Sequence, residues 1–95
     1  AGLGGDREKA REHFEDAVEL ADGKKASPYV SLATGVSIPE QNVSEFRELM
    51  NKALAIDVEL YPQYQLINTI KQREARWYLE NIERFFIVTD EEATS

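Results

Sequence analysis

Apolar residues recur every three or four positions along most of the sequence, and no stretch alternates long enough between apolar and polar residues to predict a strand. The spacing predicts four helices, over residues 6–21, 27–36, 43–58 and 62–87, with a loop over 37–41 where Pro39 interrupts the pattern. At 1.5 Å per residue the last helix would reach roughly 40 Å, longer than the other three. We therefore expect an all-α fold.

The residues at the predicted helix ends support these boundaries. Asp6 is a good N-cap for the first helix, and Gly23 suits the left-handed conformation that ends a helix. Ser27 followed by Pro28 predicts the start of the second helix, because proline loses no hydrogen bond in a first turn. Asn42, with a glutamate three residues later, resembles a capping box at the start of the third helix.

The sequence contains an internal repeat. Residues 17–22 can be laid over the shorter stretch 53–57, and the offset of 36 from Ala17 to Ala53 also pairs Phe14 with Met50 and Ala10 with Phe46. A repeat of this length, made of a shorter and a longer helix, is typical of a solenoid of helical hairpins. Residues 5–22 resemble the second helix of a tetratricopeptide repeat. We expect tetratricopeptide-like hairpins closed by a long C-terminal helix.

The first of these hairpins lacks one of its two helices, since only residues 1–5 precede the predicted first helix. One interpretation is that residues 1–95, a single helical domain, form the C-terminal part of a longer protein that is cut in the turn at residues 3–5. The alternative is a complete small bundle in which the first helix packs on the fourth. In both, the acidic residues 90–95 are expected to be a frayed tail.

Composition excludes several classes of partner. The 95 residues carry 11 Lys and Arg against 18 Asp and Glu, a net charge of −7. This balance argues against binding to nucleic acid or to an anionic membrane surface. There is no cysteine, and no apolar run approaches the roughly 18 residues needed to span a bilayer.

No group of residues predicts catalysis, a metal or a cofactor. His13 is the only histidine, and because it has no evident set of further ligands we expect it to pack at the rim of an apolar stripe. The carboxylate pairs, such as Glu12 with Asp16, lie on one solvated helix face, whereas acid–base catalysis needs carboxylates in different environments around a cleft. We therefore expect a protein that is not an enzyme.

Two sets of residues in the last predicted helix are candidate contact sites. Asn68, Gln72 and Arg76 form a polar stripe on a largely apolar helix, and this stripe could face either a partner or solvent. Arg73 and Trp77 are adjacent candidates. For Trp77 the alternative is a role in the hydrophobic core. The second set is the apolar run 85–88. Its residues point all around a helix, so they are expected to be covered either by upstream helices or in an oligomer through Phe85, Phe86 and Ile87.

When its motifs are read in the order in which they occur along the chain, the sequence resembles one known family, the T components of tripartite ATP-independent periplasmic (TRAP) transporters. The likeness extends from residue 2 to about residue 86 and begins with a glycine-rich start leading into the first helix. Its most specific string lies in the last helix: Asn68-x-Ile70-x-Gln72-Arg73-x-Ala75-Arg76-Trp77-x-Leu79.

The resemblance implies a periplasmic, all-helical accessory protein without catalytic activity. Such proteins are thought to associate with the periplasmic solute-binding protein of the transporter, and one type forms a ring-like trimer, so a homo-oligomer is implied as well. Contact with the membrane would come only through a lipid anchor that this chain does not contain. The alternative function is a generic tetratricopeptide-like adaptor for other proteins, unrelated to transport.

Overall fold

A computed structural model describes residues 3–87 of the chain. Within them lie four α-helices: α1 (Leu3–Leu20), α2 (Ser27–Leu32), α3 (Val43–Ala55) and α4 (Gln65–Glu80). Shorter helical segments join or extend them: a π-helical turn at Ala33–Ser37 and 3₁₀ turns at Val58–Leu60, Pro62–Tyr64 and Ile82–Arg84. The predicted all-α fold is confirmed.

The ends of α1 agree only in part with the prediction. The helix begins at Leu3, so Asp6 lies inside its first turns and the predicted N-cap is wrong. Its C-terminal end is as predicted: Gly23 has φ +69°, and its backbone N–H donates to the Val18 carbonyl at 2.9 Å. This bond satisfies a carbonyl of the last turn that the helix itself leaves free.

The second and third helices lie close to their predicted positions. Ser27 is the first residue of α2, and the residue before it, Ala26, provides no side-chain cap. The Asn42 cap of α3 is confirmed, because its side-chain oxygen accepts from the Glu45 backbone N–H at 3.1 Å. However, α3 ends at Ala55 rather than at Val58.

The predicted long helix over 62–87 is wrong. The α-helix ends at Glu80, and with 16 residues it is shorter than α1, which has 18. The chain then turns back so that Phe86 packs on Phe46 with ring centroids 4.9 Å apart. We call residues 85–87 the returning segment. The side chain of Gln41 holds it by donating to the Phe85 carbonyl at 2.9 Å and accepting from the Ile87 N–H at 2.8 Å.

The helices pack mainly on their neighbours in the chain. α1 packs on α2, α2 on α3, and α3 on α4, while α4 also contacts α2. This differs from the bundle in which the first helix packs on the fourth, because the principal partner of α1 is α2. The core consists of small and large apolar side chains from the residue before α2 through α4 and from the returning segment: Ala26, Val30, Leu32, Ala33, Val36, Phe46, Leu49, Met50, Ala53, Ala75 and Phe86.

A group of charged side chains ties α1 to the start of α3. The Arg11 guanidinium donates to both carboxylate oxygens of Glu45, at 2.8 and 3.2 Å, and to Glu40 at 2.8 Å. The Ser37 hydroxyl donates to Glu45 as well, at 2.7 Å. The bonds from Arg11, followed by that from Ser37, lower the pKa of Glu45, although desolvation opposes them.

We expect Glu45→Gln to reduce the free energy of unfolding by about 1 kcal/mol at pH 7, because it removes a partly buried charged pair. A carboxylate whose pKa is lowered by folding stabilises the folded state at pH values above its ordinary pKa of about 4.3. This stabilisation is lost as the pH falls through the lowered pKa. Urea unfolding should therefore show a larger difference between variant and parent at pH 7 than at pH 3. Glu48→Gln, which removes an exposed pair with Lys52, is the control. An equal difference at both pH values would contradict the assignment.

Candidate functional site

Asn68, predicted to face a partner or solvent, lies in the interior with its side chain 0% exposed. Its amide oxygen accepts from the Ala26 N–H at 2.9 Å, and its amide nitrogen donates to the Lys24 carbonyl at 2.9 Å. Asn68 thus satisfies two backbone groups of the loop between α1 and α2. The prediction of a surface position is corrected because these buried groups need a partner.

Gln72, one turn later on the same face of α4, is also buried, at 6% exposed. Its amide nitrogen donates to the Ala53 carbonyl at 3.0 Å and to the Ile56 carbonyl at 2.7 Å. These carbonyls belong to the C-terminal end of α3, where the last carbonyl groups have no hydrogen-bond donor within the helix itself. Gln72 is therefore also placed internally, contrary to the predicted surface stripe.

The opposite face of α4 carries large apolar side chains in contact with solvent. Leu66 is 76% exposed, Ile70 43% and Trp77 47%. At 100° per residue these three positions lie on one side of the helix, and Asn68 and Gln72 lie on the other. The two remaining predicted site residues, Arg73 and Arg76, are exposed beside them. We call this set the α4 surface: Leu66, Ile70, Arg73, Arg76 and Trp77.

The aromatic residues at the end of α4 connect this surface to the core. The Trp77 ring lies against Tyr78, with centroids 5.3 Å apart, and against Phe85 at 5.8 Å, so the indole is held by two rings while remaining partly open to solvent. Phe85 is half-buried.

The predicted oligomer contact changes accordingly. Phe86 is 6% exposed and belongs to the core, whereas Ile87 is 82% exposed. Burial against Phe46 is incompatible with a contact between subunits, so Phe86 is removed from the predicted interface. Val88 and the predicted frayed tail, residues 90–95, lie outside the described residues.

A groove between α1 and α2, which sequence reasoning did not identify, is lined mainly by small and apolar side chains. Its cavity of about 420 Å³ adjoins a second of about 310 Å³, and Ala17, Ser27 and Pro28 line both. Exposed His13 lies at its rim. We call this the α1–α2 groove. The small residues at helical spacing, Ala10 and Ala17, were the available signal.

Two general properties of residues 3–87 bear on function. No three metal-ligating side chains converge within this range. None of the helices there combines the length and the apolar character that crossing a bilayer demands.

Comparison with known proteins relates nearly the whole chain to one family. A family model described as "TRAP transporter T-component" matches residues 1–86. An uncharacterized protein of Treponema pallidum (strain Nichols) is 32% identical over 85 residues, which cover 90% of this chain and 26% of that protein. The chain therefore spans about a quarter of the length of this relative. No solved structure matches.

Proposed function

The chain belongs to the TRAP transporter T-component family, and from that premise we propose that it is a non-catalytic periplasmic accessory protein that binds the solute-binding protein of the transporter. Association with a TRAP transporter follows from the family itself. The location, the partner and the scaffold role are the proposal. The observation that carries it is the α4 surface, which is apolar and yet open to solvent.

The composition of the α4 surface is that of a protein-binding site. Large apolar side chains grouped on one exposed face are uncommon on proteins that bind no partner. Tryptophan and arginine are also the residues most enriched among those that contribute strongly to binding energy. Trp77 is preordered by its contacts with Tyr78 and Phe85, which lowers the entropy lost when a partner covers it.

Charge indicates the chemistry of the partner's surface. The whole chain has a net charge of −7, but two exposed arginines, Arg73 and Arg76, flank the apolar residues of the α4 surface. Within residues 3–87 neither forms an ion pair with a carboxylate of its own chain. An acidic rim around an apolar patch on the solute-binding protein would complement this surface and accelerate association at low salt.

We expect Arg76→Glu to weaken binding to the solute-binding protein at least about tenfold, equivalent to ~1.4 kcal/mol, because it replaces attraction by repulsion at the edge of the interface. Biolayer interferometry with the full-length protein and the purified solute-binding protein of the same transporter measures this effect. The matched control is Arg47→Glu on the exposed side of α3, which should change the affinity less than about twofold.

Two outcomes would contradict the proposal. One is equal weakening by both variants, which would indicate a nonspecific effect of net charge. The other is the absence of binding to the solute-binding protein combined with binding of a protein unrelated to transport, which would support the generic adaptor instead.

Homo-oligomerisation, with Phe85 and Ile87 as its remaining predicted contacts, belongs to the same proposal and is measured on the same samples by light scattering.

A further inference from the structure

The backbone of Gln41 has an unusual conformation. Its φ of +54° lies in the left-handed region, which residues other than glycine, asparagine and aspartate seldom adopt. Such a conformation persists where surrounding contacts hold it, and residues of this kind cluster at functional positions. The contacts that hold Gln41 are made by its own side chain, so the strain of the backbone and the use of the side chain are linked.

The amide group of Gln41 forms its hydrogen bonds with backbone groups. Its nitrogen donates to the carbonyls of Ile38 and Phe85, both at 2.9 Å, and its oxygen accepts from the Ile87 N–H at 2.8 Å. Both N–H donors and the oxygen of the amide are thus in use. Two of the three bonds go to the returning segment, which they hold at an acceptor and a donor two residues apart. We call these two bonds the Gln41 clamp.

The returning segment links the core to the α4 surface. Phe86 is buried in the core. The ring of the neighbouring Phe85 lies 5.8 Å from that of Trp77, which is the largest side chain of the α4 surface. Because Gln41 holds the Phe85 carbonyl, the clamp fixes the position of a ring that contacts Trp77 directly.

Local sequence does not fix the path of the chain between α4 and the clamp. Apolar residues keep their helical spacing through residue 87, yet α4 ends at Glu80. The chain leaves the helix at Asn81, whose side chain and backbone N–H both donate to the Trp77 carbonyl, at 2.8 and 3.0 Å. Segments held by a few exposed hydrogen bonds open at low free energy, and both bonds of the clamp are exposed. We therefore expect the clamp to open more readily than the four helices unfold.

We propose that the Gln41 clamp regulates binding at the α4 surface, because in its closed state it holds Phe85 against Trp77 and keeps the indole oriented for the partner. When the clamp opens, Trp77 loses one of the two rings that order it, and binding then includes the cost of ordering it again. Gln41 is a positioning residue, since it acts through Phe85. The effect on affinity rests on the proposed function of the α4 surface, whereas the effect on Trp77 is independent of any partner.

Trp77 is the only tryptophan among the 95 residues, so the tryptophan fluorescence of this chain reports on it alone. Gln41→Gly opens the clamp without strain, since glycine readily adopts a positive φ. We expect acrylamide to quench Trp77 at least about 1.5-fold more efficiently in this variant than in the parent, with unchanged far-UV circular dichroism. The control is Glu45→Gln, which weakens the contact between α1 and α3. Within residues 3–87 Glu45 makes no hydrogen bond to the returning segment, so its variant should show parental quenching.

Gln41→Glu separates the clamp from an effect of glycine on the loop. The carboxylate preserves the side-chain length and still accepts from the Ile87 N–H, but at neutral pH it cannot donate to the Phe85 carbonyl. Its quenching should lie between that of the parent and that of Gln41→Gly. Parental quenching in Gln41→Gly overturns the proposal, as does an equal increase in Glu45→Gln. If Gln41→Gly loses its helical circular dichroism, Gln41→Glu decides in its place.

Interferometry with the full-length protein and the solute-binding protein tests the consequence for affinity. We expect Gln41→Gly to weaken binding about fivefold and Glu45→Gln to weaken it less than about twofold. Parental affinity in Gln41→Gly, or equal weakening by both variants, overturns the regulatory role. Absence of binding by the parent contradicts the proposed function instead, and the fluorescence result then decides alone whether the clamp positions Trp77.

Discussion

Phe46→Ala is expected to lower the free energy of unfolding by about 3–5 kcal/mol, the range found when large aromatic side chains are removed from protein cores. Phe46 is 0% exposed and lies where three parts of the fold meet. Its ring contacts Phe86 of the returning segment at 4.9 Å and Tyr78 of α4 at 6.3 Å. Truncation would leave a cavity that these rings, held in their own contacts, fill only in part.

Phe14→Ala is the matched control, measured by urea unfolding under the same conditions. The sequence pattern places Phe14 in the middle of an apolar stripe, but the structure leaves it half-buried at the α1–α2 groove. We expect its removal to cost about 1–2 kcal/mol, in proportion to the smaller apolar area covered. Equal losses for the two variants, or a loss below about 1 kcal/mol for Phe46→Ala, would show that the core is not organised around Phe46.

Helix positions could be predicted from the sequence where the signal is local. Gly23 and Asn42 mark a helix end and a helix start because their backbone or side chain satisfies groups within a few residues. The end of α4 could not be predicted in this way. The apolar spacing continues past Glu80, and the chain leaves the helix because Phe86 and Gln41 make contacts with residues about 40 positions away in the sequence.

The candidate site shows the same limit in another form. A periodic pattern treats polar residues as exposed, so it groups Asn68 and Gln72 with Arg76 on one surface. In the structure they share a face with Ala75, which is buried, and their amides satisfy backbone groups of the α1–α2 loop and of α3. Their position on the apolar face of α4 was the signal that they are internal. The exposed face of α4 carries Trp77 and the arginines together with Leu66 and Ile70, which the polar pattern does not indicate.

Gln72→Glu is expected to destabilise the fold by about 3–5 kcal/mol at pH 8, because it buries a charge that has no partner of opposite sign. The side chain is nearly isosteric, so packing is preserved. The change replaces a donor to the carbonyls of Ala53 and Ile56, at 3.0 and 2.7 Å, by a carboxylate that these oxygens repel. Gln72→Leu is the control; it removes the donor without adding charge and should cost about 1–3 kcal/mol at every pH.

The pH dependence distinguishes the charge from the lost hydrogen bonds. Burial and the nearby carbonyls raise the pKa of the introduced carboxyl in the folded protein above its ordinary value of about 4.3, since only the protonated form can donate. Between these two values the folded state holds a proton that the unfolded state has released, so the free energy of unfolding decreases as the pH rises. Urea unfolding of Gln72→Glu should therefore show a smaller loss of unfolding free energy at pH 5 than at pH 8. At pH 5 Glu45 still stabilises the fold, because its pKa is lowered. A loss of the same size at both pH values, or one no larger than that of Gln72→Leu at pH 8, would mean that the end of α3 can move away from α4 and that Gln72 does not hold the two helices together.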